Sequence, residues 1–397
     1  MRLLFLTDNF PPEFNAPATR TFEHCKQWVK QGADVTVITC APNFPEGKVF
    51  MGYRNKWRQT EIIDGIKIIR VWTYIAANKG FLRRIIDFLS FMAMSFWAGL
   101  FVKTDLIVAT SPQFFTAVSG RWLSFWKRKP WVMEVRDIWP ESIRAVGAME
   151  RNAVIRFFEF LELRMYKSAW KIITVTDSFK EQLVKEKEIS ASKIEVVKNG
   201  VNSEVFKPMP KNQAILKELG LQNKRIIGYI GTHGMAHKLD FILECAAEIK
   251  DDRLHFLLIG TGAEKANLLA LCKKLALTNV TMLPPVEKER VKQYISILDV
   301  ALVNLRKSNT FKSVLPSKIF ELAGMHKPIL LGVEGESKEL IQKYAVGFCF
   351  EPENMIDFKE KLNMALNSEI KKERFNEMTS DFDRSNLARQ MLGYLSD

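Results

Sequence analysis

The sequence lacks a long apolar run. Its most apolar stretch, residues 81–102, has 15 uncharged residues after Asp87, short of the ~20 that a membrane-spanning helix needs. The first eight residues form a strand-like run that ends too soon for the apolar core of a secretory signal. No repeat or low-complexity segment is present. We therefore expect a globular protein of the cytoplasm that does not span a membrane.

Cysteine is scarce, and acidic residues do not pair where a metal site would need them. The one Asp-x-Asp motif, Asp381 to Asp383, lies at the edge of the last helical pattern and does not follow an apolar strand. The cysteines show neither disulfide nor metal-ligand spacing, which fits a reducing compartment. They are Cys25, Cys40, Cys245, Cys272 and Cys349. We expect no metal and no other cofactor.

Positive charge is abundant, and most of it lies in one half of the chain. The net charge is +13; residues 1–200 hold 30 Lys and Arg against 20 Asp and Glu, and the remainder holds 28 against 25. All nine tryptophans lie at or before Trp170. A basic, aromatic half suits a membrane surface or a polyanionic acceptor. Because no DNA- or RNA-binding motif accompanies the charge, nucleic acid is not an expected partner.

Two segments of that half are candidates for contact with a membrane surface. Residues 81–102, with Lys79, Arg83 and Arg84 at their start, can form a packed core helix, an interfacial helix or both. A second aromatic and basic segment can equally be a helix end capped by cations. Its residues are Arg121, Trp122, Phe125, Trp126, Lys127, Arg128, Lys129 and Trp131.

Strand and helix patterns alternate along the whole chain, which indicates an α/β protein. A length of 397 residues suggests two domains. The most informative segment, residues 315–332, predicts a loop, a helix start, a short helix and a buried strand. Ser317 and Lys318 lie at the helix start, where amide groups and a cation favour an anion. Glu321, one turn later, can accept the hydroxyls of a ribose.

A glycine loop upstream strengthens the prediction of a nucleotide site. An apolar strand, residues 226–230, enters Gly231, Thr232, His233 and Gly234, and a helix pattern follows. Such a loop lets backbone amides approach phosphates. The nearest cations are Lys238 and Arg306. The alternatives are a plain polar loop here and an ordinary helix start at Lys318.

The N-terminal half has its own candidate residues. The apolar strand 132–135 runs into Arg136, Asp137 and Glu141, and α/β proteins place their sites just past the carboxyl ends of such strands. The alternative is a structural Arg136–Asp137 ion pair. Small residues after the first strand, Asn15 and Ala16, would let a bound molecule approach the backbone, and the alternative is a plain loop.

The segment 315–332 resembles the corresponding stretch of retaining family 4 glycosyltransferases with the GT-B fold. The family pattern has two glutamates separated by seven residues; Glu321 matches the second, whereas Ser313 takes the position of the first. The Pro-Ser-Lys version, and the segment from Asp137 to Ser142, resemble a subgroup that builds surface polysaccharides such as O-antigen and capsule. That subgroup includes transferases of N-acetyl-L-fucosamine.

The resemblance implies two Rossmann-like domains with the active site in the cleft and a C-terminal helix that crosses back to the first domain. The implied acceptor domain is residues 1–203, the linker is 204–214, the nucleotide-sugar domain is 215–380 and the terminal helix is 381–397. A segment similar to the family's Asn-Gly-Val-Asp motif, residues 199–202, closes the first domain, with Asn202 in place of the aspartate.

The implied reaction moves a sugar from a UDP-sugar to a polyprenyl-diphosphate-linked saccharide at the inner face of the cytoplasmic membrane. Lys318 and Arg306 would stabilise the leaving diphosphate, Val286 would lie near the nucleobase, and Asp137 would orient or deprotonate the acceptor. The resemblance further implies a retaining, metal-independent enzyme. Two alternatives stay open: a UDP-sugar 2-epimerase of the same fold, and a non-catalytic, membrane-associated nucleotide-binding protein.

Overall fold

The computed structural model describes residues 1–13, 15–44, 46–75, 81–111, 113–138 and 153–396. The chain forms two compact units. Unit 1 comprises Met1–Lys198 together with Arg384–Asp397, and unit 2 comprises Asn199–Asp383. The described helices include none with the length and apolar character needed to cross a membrane. In the same residues, His, Cys, Asp and Glu nowhere gather in threes around a possible metal position.

Unit 1 is built from eight strands and the helices between them. The strands are β1 Arg2–Leu6, β2 Asp34–Cys40, β3 Arg58–Ile63, β4 Ile66–Val71, β5 Leu106–Thr110, β6 Trp131–Val135, β7 Lys171–Thr174 and β8 Ile194–Val196. The described α-helices are α1 Ala16–Lys30, α2 Phe81–Leu100, α3 Phe114–Lys127, α4 Ala153–Ser168, α5 Asp177–Lys187 and, at the end of the chain, α14 Arg384–Ser396.

The sheet of unit 1 has the order β3-β4-β2-β1-β5-β6-β7-β8. Every neighbouring pair is parallel except the edge hairpin of β3 and β4. That hairpin turns at Asp64 and Gly65, whose φ angles are both positive, as a tight two-residue turn requires. From β4 onward the order is that of a doubly wound sheet, whose direction of growth reverses between β1 and β5.

Unit 2 has the same plan with six strands. They are β9 Arg225–Ile230, β10 Leu254–Ile259, β11 Val280–Leu283, β12 Val300–Asn304, β13 Ile329–Gly332 and β14 Gly347–Cys349. The helices are α6 Gln213–Leu219, α7 Leu239–Ala247, α8 Lys265–Lys274, α9 Lys288–Ser296, α10 Lys318–Gly324, α11 Glu336–Tyr344, α12 Met355–Asn367 and α13 Lys372–Asp381. The short segments Met235–His237 and Asn309–Ser313 are 3-10 turns.

The sheet of unit 2 has the order β11-β10-β9-β12-β13-β14 with every pair parallel. This is the Rossmann order, with its topological switch point between β9 and β12. Neighbouring residues of β9 face opposite layers: Ile226 belongs to one core cluster and Ile227 to the other. Helices therefore cover both faces, and the carboxyl ends of β9 and β12 are where a ligand is expected.

The last helix belongs to unit 1. Leu387, Ala388 and Met391 of α14 are buried in the same cluster as Trp28 of α1, and the Trp28 indole donates to the Ala388 carbonyl at 2.8 Å. The predicted two-domain α/β fold with a returning terminal helix is confirmed. The division of the units differs from the predicted bounds: it falls after Lys198, and Phe206 of the expected linker is buried in the unit 2 core.

Candidate active site

The glycine loop of unit 2 begins where β9 ends, beside the switch point. Gly231 has φ +154°, and its amide donates to the Ile259 carbonyl at 2.9 Å. A second loop follows β10: a Cβ added to Gly260 would lie 1.9 Å from the Gly231 carbonyl oxygen, and one added to Gly262 would lie 2.4 Å from that of His233. The two loops approach each other so closely that no side chain fits between their backbones. Gly260 and Gly262 are therefore required at these positions.

The ammonium group of Lys318 lies directly against this loop. A Cβ on Gly231 would be only 2.6 Å from Lys318 Nζ, and the same nitrogen lies 3.9 Å from the centre of the Tyr229 ring. Nζ is enclosed and has no hydrogen-bond partner among the described residues. Burial lowers the pKa of Lys318 to about 7, partly opposed by the charge of Glu321. A buried cation without a partner is unusual unless a ligand completes it.

Two neutral histidines stand beside Tyr229. The rings of His233 and His237 lie 6.0 and 5.8 Å from its ring centre. Burial, reinforced by nearby lysines, lowers the pKa of His233 to about 4; burial and the Lys318 charge lower that of His237 to about 3. Neither ring nitrogen of His233 has a partner in the described structure. At neutral pH these imidazoles can donate one hydrogen bond each without adding charge.

The end of β12 ties the turn after the glycine loop in place. Asn304 Nδ2 donates to the His237 carbonyl at 2.9 Å, and the Arg306 amide donates to the Ala236 carbonyl at 2.8 Å. Asn304 Oδ1 is buried and unpartnered. Arg306 is half-buried at this edge. In the described part of unit 2, the buried side-chain atoms without a partner all belong to His233, Asn304 and Lys318.

The helix start that carries Lys318 differs from the sequence interpretation in one respect. Helix α10 is short, and its first amides are used internally: Ile319 donates to the Pro316 carbonyl and Phe320 to that of Ser317. Anion binding here would therefore depend on the Lys318 cation more than on free helix amides. Glu321 lines, with Lys318, a small cavity of about 30 Å³.

Three further predicted residues of unit 2 already make contacts within the protein and are less available to a ligand. Lys238 is already paired with Asp240 at 2.5 Å, which raises the pKa of the lysine. Val286 follows β11 and is half-buried against the core. Thr232 is exposed, and its carbonyl accepts from the Tyr229 hydroxyl at 2.8 Å. The structure therefore brings Lys318, Gly231 and His233 together, with Gly234 in the same loop, and leaves Val286 on another strand end.

In unit 1, the predicted acceptor residues lie at the carboxyl ends of β1 and β6. The Arg136 amide donates to Ser111 Oγ at 3.1 Å, while its Nε and Nη1 are enclosed without partners. Burial lowers the pKa of Arg136 to about 10. Asp137 follows and is half-buried. The predicted Glu141 lies outside the described residues.

The polar groups of the loop at Asn15 and Ala16 are engaged in more hydrogen bonds within the protein than the sequence suggested. Asn15 caps α1, its Oδ1 accepting from the Ala18 amide at 2.8 Å, and its Nδ2 donates to Asn9. Ala16 is the exposed first residue of α1. An acceptor approaching here would meet a helix start whose polar groups are already engaged.

Sequence reasoning missed several polar residues of this region. Arg20 of α1 forms a buried ion pair with Glu134 of β6 at 2.9 Å. Glu13 is buried, accepts from the Asn43 amide at 2.7 Å, and burial raises its pKa to about 7. The available signal was a charged residue inside an apolar strand, Glu134, which in a parallel sheet must have a buried partner.

Two doubly wound units, one with a glycine loop and an unpartnered lysine at its switch point, are the architecture that the GT-B resemblance implied. Comparison with known proteins agrees. Residues 211–381 match the family of glycosyl transferases group 1, and residues 18–205 match Glycosyltransferase Family 4. The two halves of the chain thus match two glycosyltransferase family models, and the resemblance to GT-B glycosyltransferases of family 4 is confirmed.

Individual relatives are distant but collinear. The putative colanic acid biosynthesis glycosyl transferase WcaI of Escherichia coli K12 is 23% identical, with 99% of each chain covered. The putative teichuronic acid biosynthesis glycosyltransferase TuaH of Bacillus subtilis is 25% identical over 66% of each. The structure of HepE from Anabaena, solved with UDP and glucose, has a TM-score of 0.74 at 16% identity and full coverage of both chains. At this low sequence identity, the structural similarity shows a shared fold.

Proposed function

We propose that this glycosyltransferase moves a sugar from a UDP-sugar to a polyprenyl-diphosphate-linked saccharide during assembly of a bacterial surface polysaccharide. One observation carries the proposal. The unpartnered buried polar atoms of unit 2 gather at its switch point, on His233, Asn304 and Lys318. Such atoms are costly unless a ligand pairs with them. The names of WcaI and TuaH support a surface polysaccharide as product, and HepE, with UDP and glucose, supports UDP as the nucleotide.

The geometry suggests how unit 2 would assist the reaction. As the glycosidic C–O bond breaks, negative charge develops on the leaving diphosphate. Protonated Lys318 and the amides of Thr232 and Gly234 would face that charge, with Ser317 nearby and Arg306 at the end of β12. Losing one such preorganised donor typically raises a barrier by about 2.7–4 kcal/mol. The amides of Gly231 and His233 already donate to the carbonyls of Ile259 and Thr261 and hold the loop in place. His233 and His237, neutral at pH 7, would donate to phosphate oxygens without repelling Lys318.

Other roles follow by position. Glu321, one turn beyond Lys318, would accept the ribose hydroxyls, and Val286 would lie near the base. In unit 1, Asp137 would orient or deprotonate the acceptor hydroxyl, while Arg136 would hold an anionic or polar group of the acceptor. We further propose a retaining reaction that needs no metal and an N-acetylated deoxysugar such as N-acetylfucosamine as donor sugar. The polyprenyl acceptor would place the reaction at the inner face of the cytoplasmic membrane.

Nucleotide binding and product analysis test this function. Thermal stability is measured for the wild type, Lys318→Ala and the control Lys312→Ala, whose exposed lysine pairs with Glu334, against UDP, GDP, ADP and TDP. Binding to the folded state raises its melting temperature. We expect a shift with UDP alone that Lys318→Ala loses and Lys312→Ala keeps. No shift with any nucleotide would refute the proposal.

Turnover then separates the transferase from its alternatives. UDP-sugars are incubated with and without a lipid-linked saccharide, and products are resolved by mass spectrometry and NMR. A glycosylated lipid is the expected product. Conversion of the UDP-sugar to its 2-epimer without acceptor would establish an epimerase instead, and UDP binding with no turnover would leave a binding protein.

A further inference from the structure

Helix α2 has an apolar stripe on its outer side as well as on its inner side. Its inner residues Phe91, Met94 and Ala98 are buried in the core of unit 1. Its exposed side carries a second series at helical spacing, which begins with Ile86 and Leu89 and ends with Trp97. Ordinary surface helices keep that side polar. The buried side fits the core helix that the sequence allowed, and the exposed apolar side is the one that an interfacial helix would use.

Helix α3 extends the exposed apolar surface. The two helices cross closely at Gly99, where a Cβ would lie 2.5 Å from Leu123, and their aromatic rings meet at Phe96 and Trp122, 5.8 Å apart. We call the five large exposed aromatics at these helix ends the aromatic face. They are Trp97 (54% exposed), Phe101 (66%), Trp122 (45%), Phe125 (79%) and Trp126 (68%).

The chain segment that carries the aromatic face is basic. Between residues 88 and 133 the only acidic residue is Asp105, and its carboxylate is bound by the Arg2 side chain at 2.6 Å. The cations in the same interval are Lys103, Arg121, Lys127, Arg128 and Lys129. Lys127 donates to the Leu100 carbonyl at 3.0 Å, which brings the cations of α3 to the end of α2.

We propose that the aromatic face docks unit 1 onto an anionic lipid bilayer, with its rings in the headgroup region and its cations on the lipid phosphates. Tryptophan and phenylalanine with lysine and arginine is the composition that binds this region of a membrane, and each cation near such a surface adds attraction. Three of the five cations are lysines, a residue that protein–protein interfaces contain less often than the rest of the surface. The biological purpose of this docking rests on the proposed function, in which the acceptor is lipid-linked. The experiments that test the docking do not require that function.

Vesicle flotation of the full-length protein at low salt, without nucleotide, tests the docking. The vesicles are phosphatidylglycerol with phosphatidylethanolamine, or phosphatidylcholine alone. The wild type should bind the anionic vesicles and bind phosphatidylcholine weakly. Phe125→Ser with Trp126→Ser should weaken binding roughly a hundred-fold, about ten-fold for each buried ring. The control Ile356→Ser removes an 82% exposed apolar side chain of unit 2 and should bind like the wild type.

Charge reversal tests the cations separately. Lys103→Glu with Arg128→Glu should weaken binding to anionic vesicles at least roughly ten-fold, whereas Lys371→Glu with Lys372→Glu, exposed on unit 2, makes the same change in net charge and should have little effect. All four variants alter exposed positions, and circular dichroism verifies that each folds. Tryptophan emission should shift to the blue with anionic vesicles and be quenched by brominated lipid.

Three results would overturn the proposal: no flotation with anionic vesicles at low salt, unchanged flotation of the aromatic variant, or self-association through this face without vesicle binding. The last would show that a second copy covers it. Failure of the proposed function is distinguishable. Vesicle binding without UDP binding would remove the function and leave the docking face, and turnover on a water-soluble acceptor without vesicle binding would do the reverse.

Discussion

Replacing Lys318 by methionine should stabilise the protein and abolish UDP binding at once. The substitution keeps the length and apolar character of the side chain over the Tyr229 ring but removes the ammonium group. That group is enclosed beside Gly231 and has no partner in the described structure. If Lys318 destabilises the folded protein and is needed for UDP binding, its role is to bind the ligand and not to stabilise the fold.

The magnitude follows from the pKa of Lys318. Burial holds it at about 7 instead of 10.5, which corresponds to about 5 kcal/mol against the protonated side chain. The contact with Tyr229, 3.9 Å from Nζ to the ring centre, offsets about 2 kcal/mol of this. At pH 6, where the amine is charged in both the folded and the unfolded state, Lys318→Met should therefore raise the free energy of unfolding by about 3 kcal/mol.

Lys327 provides a matched control. It is also a buried lysine, and burial lowers its pKa to about 8, but its ammonium group donates to the carbonyls of Ser296 at 2.6 Å and Leu298 at 2.9 Å. Lys327→Met should lower the free energy of unfolding by roughly 2 kcal/mol, because two buried acceptors lose a charged donor. It should leave UDP affinity unchanged.

Urea denaturation at pH 6 and calorimetric titration with UDP measure both properties. The pH dependence is a second check. A lysine whose pKa is lowered on folding holds more protons in the unfolded state, so wild-type stability should rise as pH increases from about 7 towards 10.5. Lys318→Met should lack this contribution. The reasoning would be refuted if Lys318→Met destabilised the protein as Lys327→Met does, or if it still bound UDP normally.

Three other predictions concern catalysis and acid stability. Glu321→Ala should raise the donor KM about ten-fold or more with a smaller effect on kcat, since ribose contacts are made in ground and transition states alike; steady-state kinetics showing mainly a kcat loss would contradict that role. Asp137→Asn should lower kcat about 100-fold or more while UDP affinity is kept; an unchanged kcat would exclude it as base. Because the pKa values of His233 and His237 fall from 6.5 to about 4 and 3 on folding, stability should decline as pH falls below 6.5, and urea titrations of His233→Asn with His237→Asn should show a flatter decline.

The central strands were predictable from sequence because each is a short, fully buried apolar run ending at a turn residue. Strand β9, entering Gly231, is the clearest case. Strand β3 was missed, although Asp64 and Gly65 lie between two alternating runs and are a known hairpin signal. As an antiparallel edge strand, β3 is half exposed, so its pattern is weak beside those of the buried parallel strands.

The site was predictable where its residues are local in sequence. Lys318 and Glu321 share one helical turn, and Gly231 and His233 share one loop. The contacts between these segments were not predictable, because they depend on strand order. Tyr229 supports Lys318 only because β9 lies beside β12, from which the chain leads to α10. Lys238 differs for a local reason: Asp240, two residues further on, holds it in an ion pair.

The buried polar atoms that lack a hydrogen-bond partner are distributed differently in the two units. In unit 2 they occur at the switch point alone, within the described residues, and leaving each one unpaired costs about 1–3 kcal/mol. If these atoms were unpartnered only because the fold is imperfect, they would not all be expected at the one edge where Rossmann sheets bind nucleotides. In unit 1 they are more dispersed, from Glu13 to His24 and Arg136, and only Arg136 follows a strand end directly. On the proposed function, the donor site of unit 2 therefore holds a gathered set of unpaired groups, whereas unit 1 offers an acceptor mainly Arg136.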